Sequence, residues 1–190
     1  MSLYLKEPTM KEKKEIEEMV KEFATSNDEY PFEGLSNFKK VMEESYEEFL
    51  NLLEINKHID KINPNYANQT TFVLIDENGH VYGGINLRHE LKGKLFEIGG
   101  HVGYGIRPSE RGKGYGTLQL KLLIEKMNEM GIKNALITCR ENNIKSKKTM
   151  EKFIGYADSL VPSMYEGIME YRYWIDIKKE INKEKTKKSL

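Results

Sequence analysis

Residues 107 to 117 read Arg-Pro-Ser-Glu-Arg-Gly-Lys-Gly-Tyr-Gly-Thr, and the amphipathic run Leu118 to Met130 follows them. Three alternating glycines in this stretch can adopt positive φ and let a ligand approach the backbone closely. They are Gly112, Gly114 and Gly116. The first N–H groups of the following helix would be free to bind an anion, which the helix dipole also favours. Arg111 and Lys113 would add cationic donors, so the stretch predicts a pyrophosphate site.

Other phosphate-binding loops differ from this one in spacing. A Walker loop needs Gly-x4-Gly-Lys followed by Ser or Thr, which the chain lacks. A dinucleotide fingerprint needs Gly-x-Gly-x-x-Gly in an early βαβ unit with an acidic residue about 20 residues later. This chain has Arg-x-x-Gly-x-Gly past its midpoint, after the strand-like run His101 to Ile106. The remaining alternative is an ordinary glycine turn that precedes a helix.

Composition limits the class of protein. The 190 residues suit one domain, which we place at residues 1–178, followed by a charged tail at 179–190. Thirty basic and thirty acidic residues cancel, so no chain-wide attraction to nucleic acid or to an anionic membrane is expected. The only cysteine, Cys139, cannot form an intramolecular disulfide, and no apolar run has the length of a membrane span. We expect a cytoplasmic protein.

Hydrophobic periodicity predicts helices in the first third of the chain. Thr9 can cap a helix whose apolar positions are Ile16, Met19, Val20 and Phe23. A second helix is expected from Asn37 to Asn56, with an acidic outer face formed by Glu43, Glu44, Glu47 and Glu48. The aromatic turn Tyr30 to Gly34 lies between these helices and is either a packed loop or a wall of a substrate pocket.

Strand patterns follow from Thr70. Thr71 to Ile75 and His80 to Arg88 flank an Asn-Gly turn and predict a hairpin. A third strand is expected from Glu97 to Arg107. The later segments are expected to be a central parallel strand at Leu136 to Cys139, a helix at Asn143 to Phe153, and a closing strand at Arg172 to Ile177. The tail from Lys178 has too little apolar surface to order strongly.

A second motif follows the expected central strand. Residues 143 to 155 read Asn-Ile-Lys-Ser-Lys-Lys-Thr-Met-Glu-Lys-Phe-Ile-Gly. Asn143 can cap the helix and also donate to an amide of a ligand, and Ser146, one turn later, is small enough to let that ligand pass. Lys145, Lys147 and Lys148 could reach a phosphate, or could form a solvated helix face.

Together the two motifs and the order of elements resemble the GCN5-related N-acetyltransferase (GNAT) family, in a bacterial branch. The glycine loop matches the family's pyrophosphate loop, and Asn143 and Ser146 match its Asn-x-x-Ala/Ser motif. The resemblance implies an α/β fold with a central, mixed, mostly antiparallel twisted sheet, flanked by helices and splayed at the cofactor cleft. It implies acetyl-CoA as cosubstrate, with no metal. The implied cofactor-binding residues are Tyr104, Ile106, Arg111, Gly112, Lys113, Gly114, Tyr115, Gly116, Thr117, Asn143 and Ser146.

The resemblance implies transfer of acetyl to a primary amine of a small molecule or peptide by direct attack. An antibiotic or ribosomal-protein acetyltransferase would differ from this enzyme only in its acceptor. A homodimer is an open alternative to a monomer. A rival of another class is a non-catalytic acyl-CoA sensor, which would bind the cofactor without turnover. His89, beside Arg88, could contact an acidic acceptor or could lie at the surface.

Three residues are candidates for the base that takes the proton of the amine: His101, Glu97 and Tyr104. An imidazole pKa of about 6.5 suits proton acceptance, and strand alternation would place Glu97 and His101 on one face. His101 could instead be a hydrogen-bonded structural histidine, and Glu97 an exposed charge at the start of a strand.

One position departs from the family pattern. Met150 stands where many members have a tyrosine that protonates the leaving thiolate, and a thioether cannot donate a proton. Either the thiolate leaves unaided or another tyrosine acts, with Tyr104, Tyr165 and Tyr173 as candidates. Cys139 is expected to be a buried core residue rather than a nucleophile.

Overall fold

A computed structural model describes residues 2–158, 160–163 and 167–188 of the chain. Eight strands form one sheet within these residues. They are β1 (Leu3–Lys6), β2 (Gln69–Asp76), β3 (Val81–Arg88), β4 (Val102–Ile106), β5 (Asn134–Arg140), β6 (Gly155–Ala157), β7 (Val161–Pro162) and β8 (Met169–Asp176). Their order is β1-β2-β3-β4-β5-β8-β6, and β7 pairs with β8. Of these strand pairs, only β4 with β5 is parallel.

Helices cover both faces of the sheet. They are α1 (Lys13–Ala24), α2 (Lys40–Glu43), α3 (Tyr46–Asn56), α4 (Tyr115–Glu129), α5 (Ile144–Met150) and α6 (Ile177–Lys188). Successive strand residues face opposite sides, so Val73 packs with α1 and α3 while Phe72 packs with α4. The predicted fold class, a mixed and mostly antiparallel sheet flanked by helices, is confirmed.

The predicted hairpin, β2 and β3, is confirmed. The Asp76 Oδ1 accepts the main-chain N–H of His80 and so closes the turn. Gly79 has a φ of 89° in this turn, a conformation that strains residues with a side chain.

A cleft opens between β4 and β5. The register of the two strands has a single pair, Val102 with Ile137, whereas β3 and β4 share five pairs. Beyond that pair the parallel strands diverge toward their carboxyl ends. The glycine loop after β4 and the start of α5 after β5 therefore lie at the same edge of the sheet.

Glycines in β4 let the loop between α1 and α2 lie directly on this strand. A Cβ added to Gly103 would be 2.4 Å from the carbonyl oxygen of Gly34. One added to Gly105 would be 2.7 Å from the side chain of Leu35. The aromatic turn before Leu35 is thereby held beside the cleft.

Three expectations need correction. The helix expected at Asn37–Asn56 is interrupted at Glu44, whose ψ of −88° is not helical, and Ser45 caps α3 anew by accepting the N–H of Glu48. The strand expected from Glu97 begins only at Val102. The tail expected to be weakly ordered forms α6, because Ile177 and Glu180 are buried against the sheet and α4.

Candidate active site

The glycine loop ends in a helix N-terminus that no side chain caps. Gly114 is the N-cap of α4 with a φ of 87°, and Gly112 has a φ of 79°. A Cβ added at either glycine would meet no atom within 4 Å, so open space lies beside both. The first N–H groups of α4 have no intrahelical acceptors. Gly116 was expected at positive φ but lies in the first turn of α4 with ordinary φ.

The two cations of the loop are ion-paired. Arg111 donates to both carboxylate oxygens of Asp28, at 3.0 and 2.6 Å. Lys113 lies 2.9 Å from a Glu110 carboxylate oxygen. Both charges are therefore largely compensated within the protein, and the main-chain amides are the loop's uncompensated anion donors.

A cavity of about 730 Å³ runs along this loop into the cleft. It is lined by all the predicted cofactor-binding residues except Lys113. Three lysines make the cavity basic beside α5: Lys145 and Lys148 in the helix, and Lys152 just after it. Lys147 points elsewhere, with its ammonium 4.5 Å from the ring centre of Tyr171.

The outer edge of β4 faces this cavity with main-chain groups that do not bond β3. Arg88 donates its N–H to the carbonyl of His101, and Arg107 donates its N–H to that of Tyr82. Bonded and non-bonded positions alternate in an antiparallel pair. The N–H and C=O groups of Tyr104 and Ile106 therefore point away from β3, and the Ile106 carbonyl accepts the Nε–H of Arg111 at 3.1 Å.

Tyr104 and Ser146 meet across the cleft. Asn143 caps α5 by accepting the N–H of Ser146 at 3.1 Å. The Ser146 hydroxyl lies 3.0 Å from the Tyr104 hydroxyl. Burial raises the pKa of Tyr104 to about 12, so its phenol stays protonated near neutral pH and can donate a proton but not accept one.

A second cavity, of about 720 Å³, joins the first at Tyr104, Asn143 and Ser146. Its charged lining residues are Glu29, Glu33, Lys39, Glu43, Arg88 and Glu170. The predicted aromatic turn lines both cavities. This turn is fixed by Arg140, which donates to both Glu33 carboxylate oxygens and stacks on Tyr30 at 4.0 Å.

Glu170 is a buried carboxyl group that the sequence reasoning missed. It lies in β8, is 4% exposed and lines the second cavity. Ser163 donates to it at 2.7 Å. Burial raises its pKa above the usual value, although the hydrogen bond from Ser163 opposes the shift. The available signal was an acidic residue among the apolar and aromatic residues at the start of β8.

His101 and Glu97 are not brought together. His101 is 7% exposed, lines neither cavity, and its Nδ1 accepts the N–H of Leu136 at 3.0 Å. Burial lowers its pKa to about 4, which Arg88 reinforces by charge repulsion. Glu97 was expected on the same strand face, but it ends a short 3-10 turn and is exposed. Their catalytic roles stay predictions that this geometry does not favour.

The remaining candidates also have defined surroundings. Met150 is fully buried in the core, so its side chain does not stand in the cleft. Cys139 is buried, as expected, and burial raises its thiol pKa to about 12. The Tyr173 hydroxyl donates to the Phe153 carbonyl, and Tyr165 lies outside the described residues. His89 bonds Thr70 at 2.9 Å, while its neighbour Arg88 lines the second cavity.

A sequence comparison decides the family. The profile described as acetyltransferase (GNAT) domain matches residues 16–154, which is most of the chain. The chain belongs to the GNAT acetyltransferase family. The predicted enzyme class, an acetyl-CoA-dependent N-acetyltransferase, is confirmed with it. No curated protein matches the sequence.

Solved GNAT structures share the fold at low identity. RimL, a ribosomal L7/L12 alpha-N-protein acetyltransferase in complex with coenzyme A, is 16% identical with a TM-score of 0.63, covering 93% of this chain and 96% of its own. A chimera of spermidine N-acetyltransferase SpeG from Vibrio cholerae and hSSAT is 18% identical with a TM-score of 0.63, covering 96% and 99%.

The microcin C7 self-immunity acetyltransferase MccE, in complex with acetyl-CoA and AMP, is 17% identical with a TM-score of 0.61 and covers 92% of each chain. These three acetyltransferases are named for a ribosomal protein, a polyamine and microcin C7. They share no acceptor that could be transferred to this GNAT protein. Within its described residues, no helix is long and apolar enough to cross a membrane.

Proposed function

We propose that this GNAT protein transfers acetyl from acetyl-CoA to a primary amine by direct attack within the joined cavities. The observation that carries the proposal is the meeting of the two cavities at Tyr104 and Ser146. One cavity has the features of a cofactor site and the other contains a buried carboxyl group. RimL and MccE bind coenzyme A or acetyl-CoA in the structures named above.

The residues of the first cavity fit acetyl-CoA. The uncapped start of α4 suits the pyrophosphate, and the outward main-chain groups of Tyr104 and Ile106 suit an added strand such as pantetheine. The 3′-phosphate of the cofactor would be met by positive charge from Lys145, Lys148 and Lys152. The cosubstrate supplies an acetyl group activated as a thioester.

Glu170 is the proposed base, in place of His101 and Glu97. An ammonium must lose its proton before attack, and a carboxyl with a raised pKa is a better acceptor for it than an ordinary glutamate. Burial provides this raised pKa. The carboxylate also faces the cavity through which an amine would reach the thioester.

Tyr104 is the proposed acid. Its hydroxyl is protonated at neutral pH and lies at the junction of the two cavities, where the thiolate would leave. Met150 cannot donate a proton, which made a non-catalytic sensor a rival; a donor at Tyr104 supports an enzyme instead. A buried core methionine leaves the proton donor in the cleft unaffected.

Turnover tests the proposal. Purified protein is incubated with acetyl-CoA and a panel of amines, and free thiol and acetylated product are measured together. We expect amine-dependent thiol release with a matching yield of N-acetyl product. Tight binding of coenzyme A without release for any amine would support the sensor instead.

A further inference from the structure

Arg88 differs from every other arginine of the chain. The sequence has five arginines, and four of them are paired with carboxylates: Arg107 with Glu15 and Glu22, Arg111 with Asp28, Arg140 with Glu33, and Arg172 with Asp158. Among the described residues, no carboxylate lies within 4.0 Å of the Arg88 guanidinium. One nitrogen, Nη1, donates to the carbonyls of Gly99 and Gly100.

This guanidinium lines the second cavity. The Arg88 side chain is half-buried, and burial lowers its pKa below the usual range. A partly desolvated charge without a countercharge is costly, and an anionic ligand in the cavity would supply that countercharge. Arg is also the side chain best suited to bind a carboxylate with two parallel hydrogen bonds.

The other charges of the cavity do not compensate Arg88. Glu29 and Glu33 are both paired with Arg140. Lys39 and Glu43 are exposed at the rim, carry opposite signs and are screened by solvent. Glu170 is the remaining acidic group, and it is the proposed base.

Glu170 and Arg88 are connected along one wall of the cavity. The Thr138 hydroxyl lies beside the Glu170 carboxyl. The Thr138 Oγ1 accepts the N–H of Gly99 at 2.9 Å, and the Gly99 carbonyl accepts from Arg88 at 2.9 Å. A small molecule on this wall would meet a proton acceptor at one end and a fixed cation at the other.

We infer that the acceptor is a small amino carboxylate, whose amine is placed at Glu170 and whose carboxylate is bound by Arg88. The inference rests on the proposed function, because it assigns the second cavity to the acceptor. It makes Arg88 a residue that determines specificity and takes no part in proton transfer.

Equilibrium binding tests the inference separately from turnover. The protein is saturated with coenzyme A, and the twenty standard L-amino acids and their α-carboxamides are titrated by calorimetry. We expect at least one acid to bind about ten- to a hundredfold more tightly than its amide, the range of a hydrogen-bonded charge. Arg88→Gln should reduce that ratio to near one, and Arg88→Lys should retain part of it.

Lys94→Gln is the matched control. Lys94 is exposed in the turn before β4 and does not line the cavity, so the acid-to-amide ratio should not change. Near-ultraviolet circular dichroism checks that each variant folds. If Arg88→Gln does not fold, the wild-type ratio and Arg88→Lys still decide the result.

Equal binding of acids and amides to the wild type, or binding of neither, would overturn the inference. Acetylation of amides as readily as acids would leave the proposed function intact and remove the role of Arg88. Binding of acids that depends on Arg88, without thiol release, would support the anion site and count against acetyl transfer.

Discussion

The hydroxyl of Tyr104 lies 3.0 Å from the hydroxyl of Ser146, at the point where the two cavities join. The two residues come from different elements, β4 and α5, and are brought together by the divergence of β4 from β5. Under the proposed function, this contact places a proton donor where the thiolate would leave. It also gives the cleft a hydroxyl group that does not depend on Met150.

Replacing Tyr104 by Phe should lower kcat about 10²-fold. This is the lower end of the range for general acid catalysis, because a thiolate is a fair leaving group even without a proton donor. Because burial raises the pKa of Tyr104 to about 12, the wild-type rate should not fall on its alkaline side below about pH 11. Tyr173→Phe is the control, since its hydroxyl bonds a core carbonyl and its loss should cost about 1 kcal/mol of stability only. A similar loss of kcat in both variants would argue against Tyr104 as the acid.

Gly114→Ala should weaken binding of coenzyme A more than tenfold, measured by calorimetry. The alanine would meet no atom, but a φ of 87° is unfavourable for it by about 1 kcal/mol or more, so the N-terminus of α4 would rearrange. Gly131→Ala carries the same strain, at a φ of 76°, beyond the other end of α4. It should destabilise the fold similarly and leave cofactor affinity unchanged, and equal affinities in the two variants would refute the loop assignment.

His101 should make the fold sensitive to acid. Its folded pKa, about 4, lies below the unfolded value of 6.5, so its contribution to stability is present above pH 6.5 and is lost as pH falls toward 4. Between pH 7.5 and 5 this loss amounts to about 2 kcal/mol. His101→Asn can still accept the N–H of Leu136 but cannot titrate. Urea unfolding should therefore show a smaller decrease for the variant over this range.

The same variant separates structure from catalysis. His101→Asn should retain kcat within a few-fold, because His101 lines neither cavity. A loss of 10² or more with coenzyme A binding intact would restore His101 as the base.

The sequence predicted the parts of this fold that depend on local patterns. The hairpin, the glycine loop and the cap by Asn143 follow from neighbouring residues, and all are present. The break at Glu44 was missed because the apolar period continues across it, although Ser45 is an evident N-cap. The helix α6 was missed because its order depends on burial of Ile177 and Glu180 against distant elements.

The candidate site was less predictable because its contacts are long-range. Arg140 and Glu33 are 107 positions apart, and Arg111 and Asp28 are 83 apart. No local pattern shows that these carboxylates neutralise those cations. Glu170 was missed because the predicted closing strand began at Arg172, whereas β8 begins at Met169. Its burial also depends on residues of the second cavity that are distant in sequence.

The most direct test of the account is the pH dependence of acetyl transfer in the wild type and in Glu170→Gln, an isosteric change that can keep the contact with Ser163. Glu170 can accept a proton only when it is ionised, and its pKa is raised above the ordinary glutamate value of 4.5. The wild-type kcat/KM should therefore rise with pH through an ionisation above 4.5. The variant should lose about 10²- to 10⁴-fold in kcat, lack this ionisation and bind coenzyme A normally. Glu44→Gln is the control, because Glu44 is exposed at the end of α2. Its kcat and pH profile should match those of the wild type. Full activity of Glu170→Gln with an unchanged profile would contradict the account.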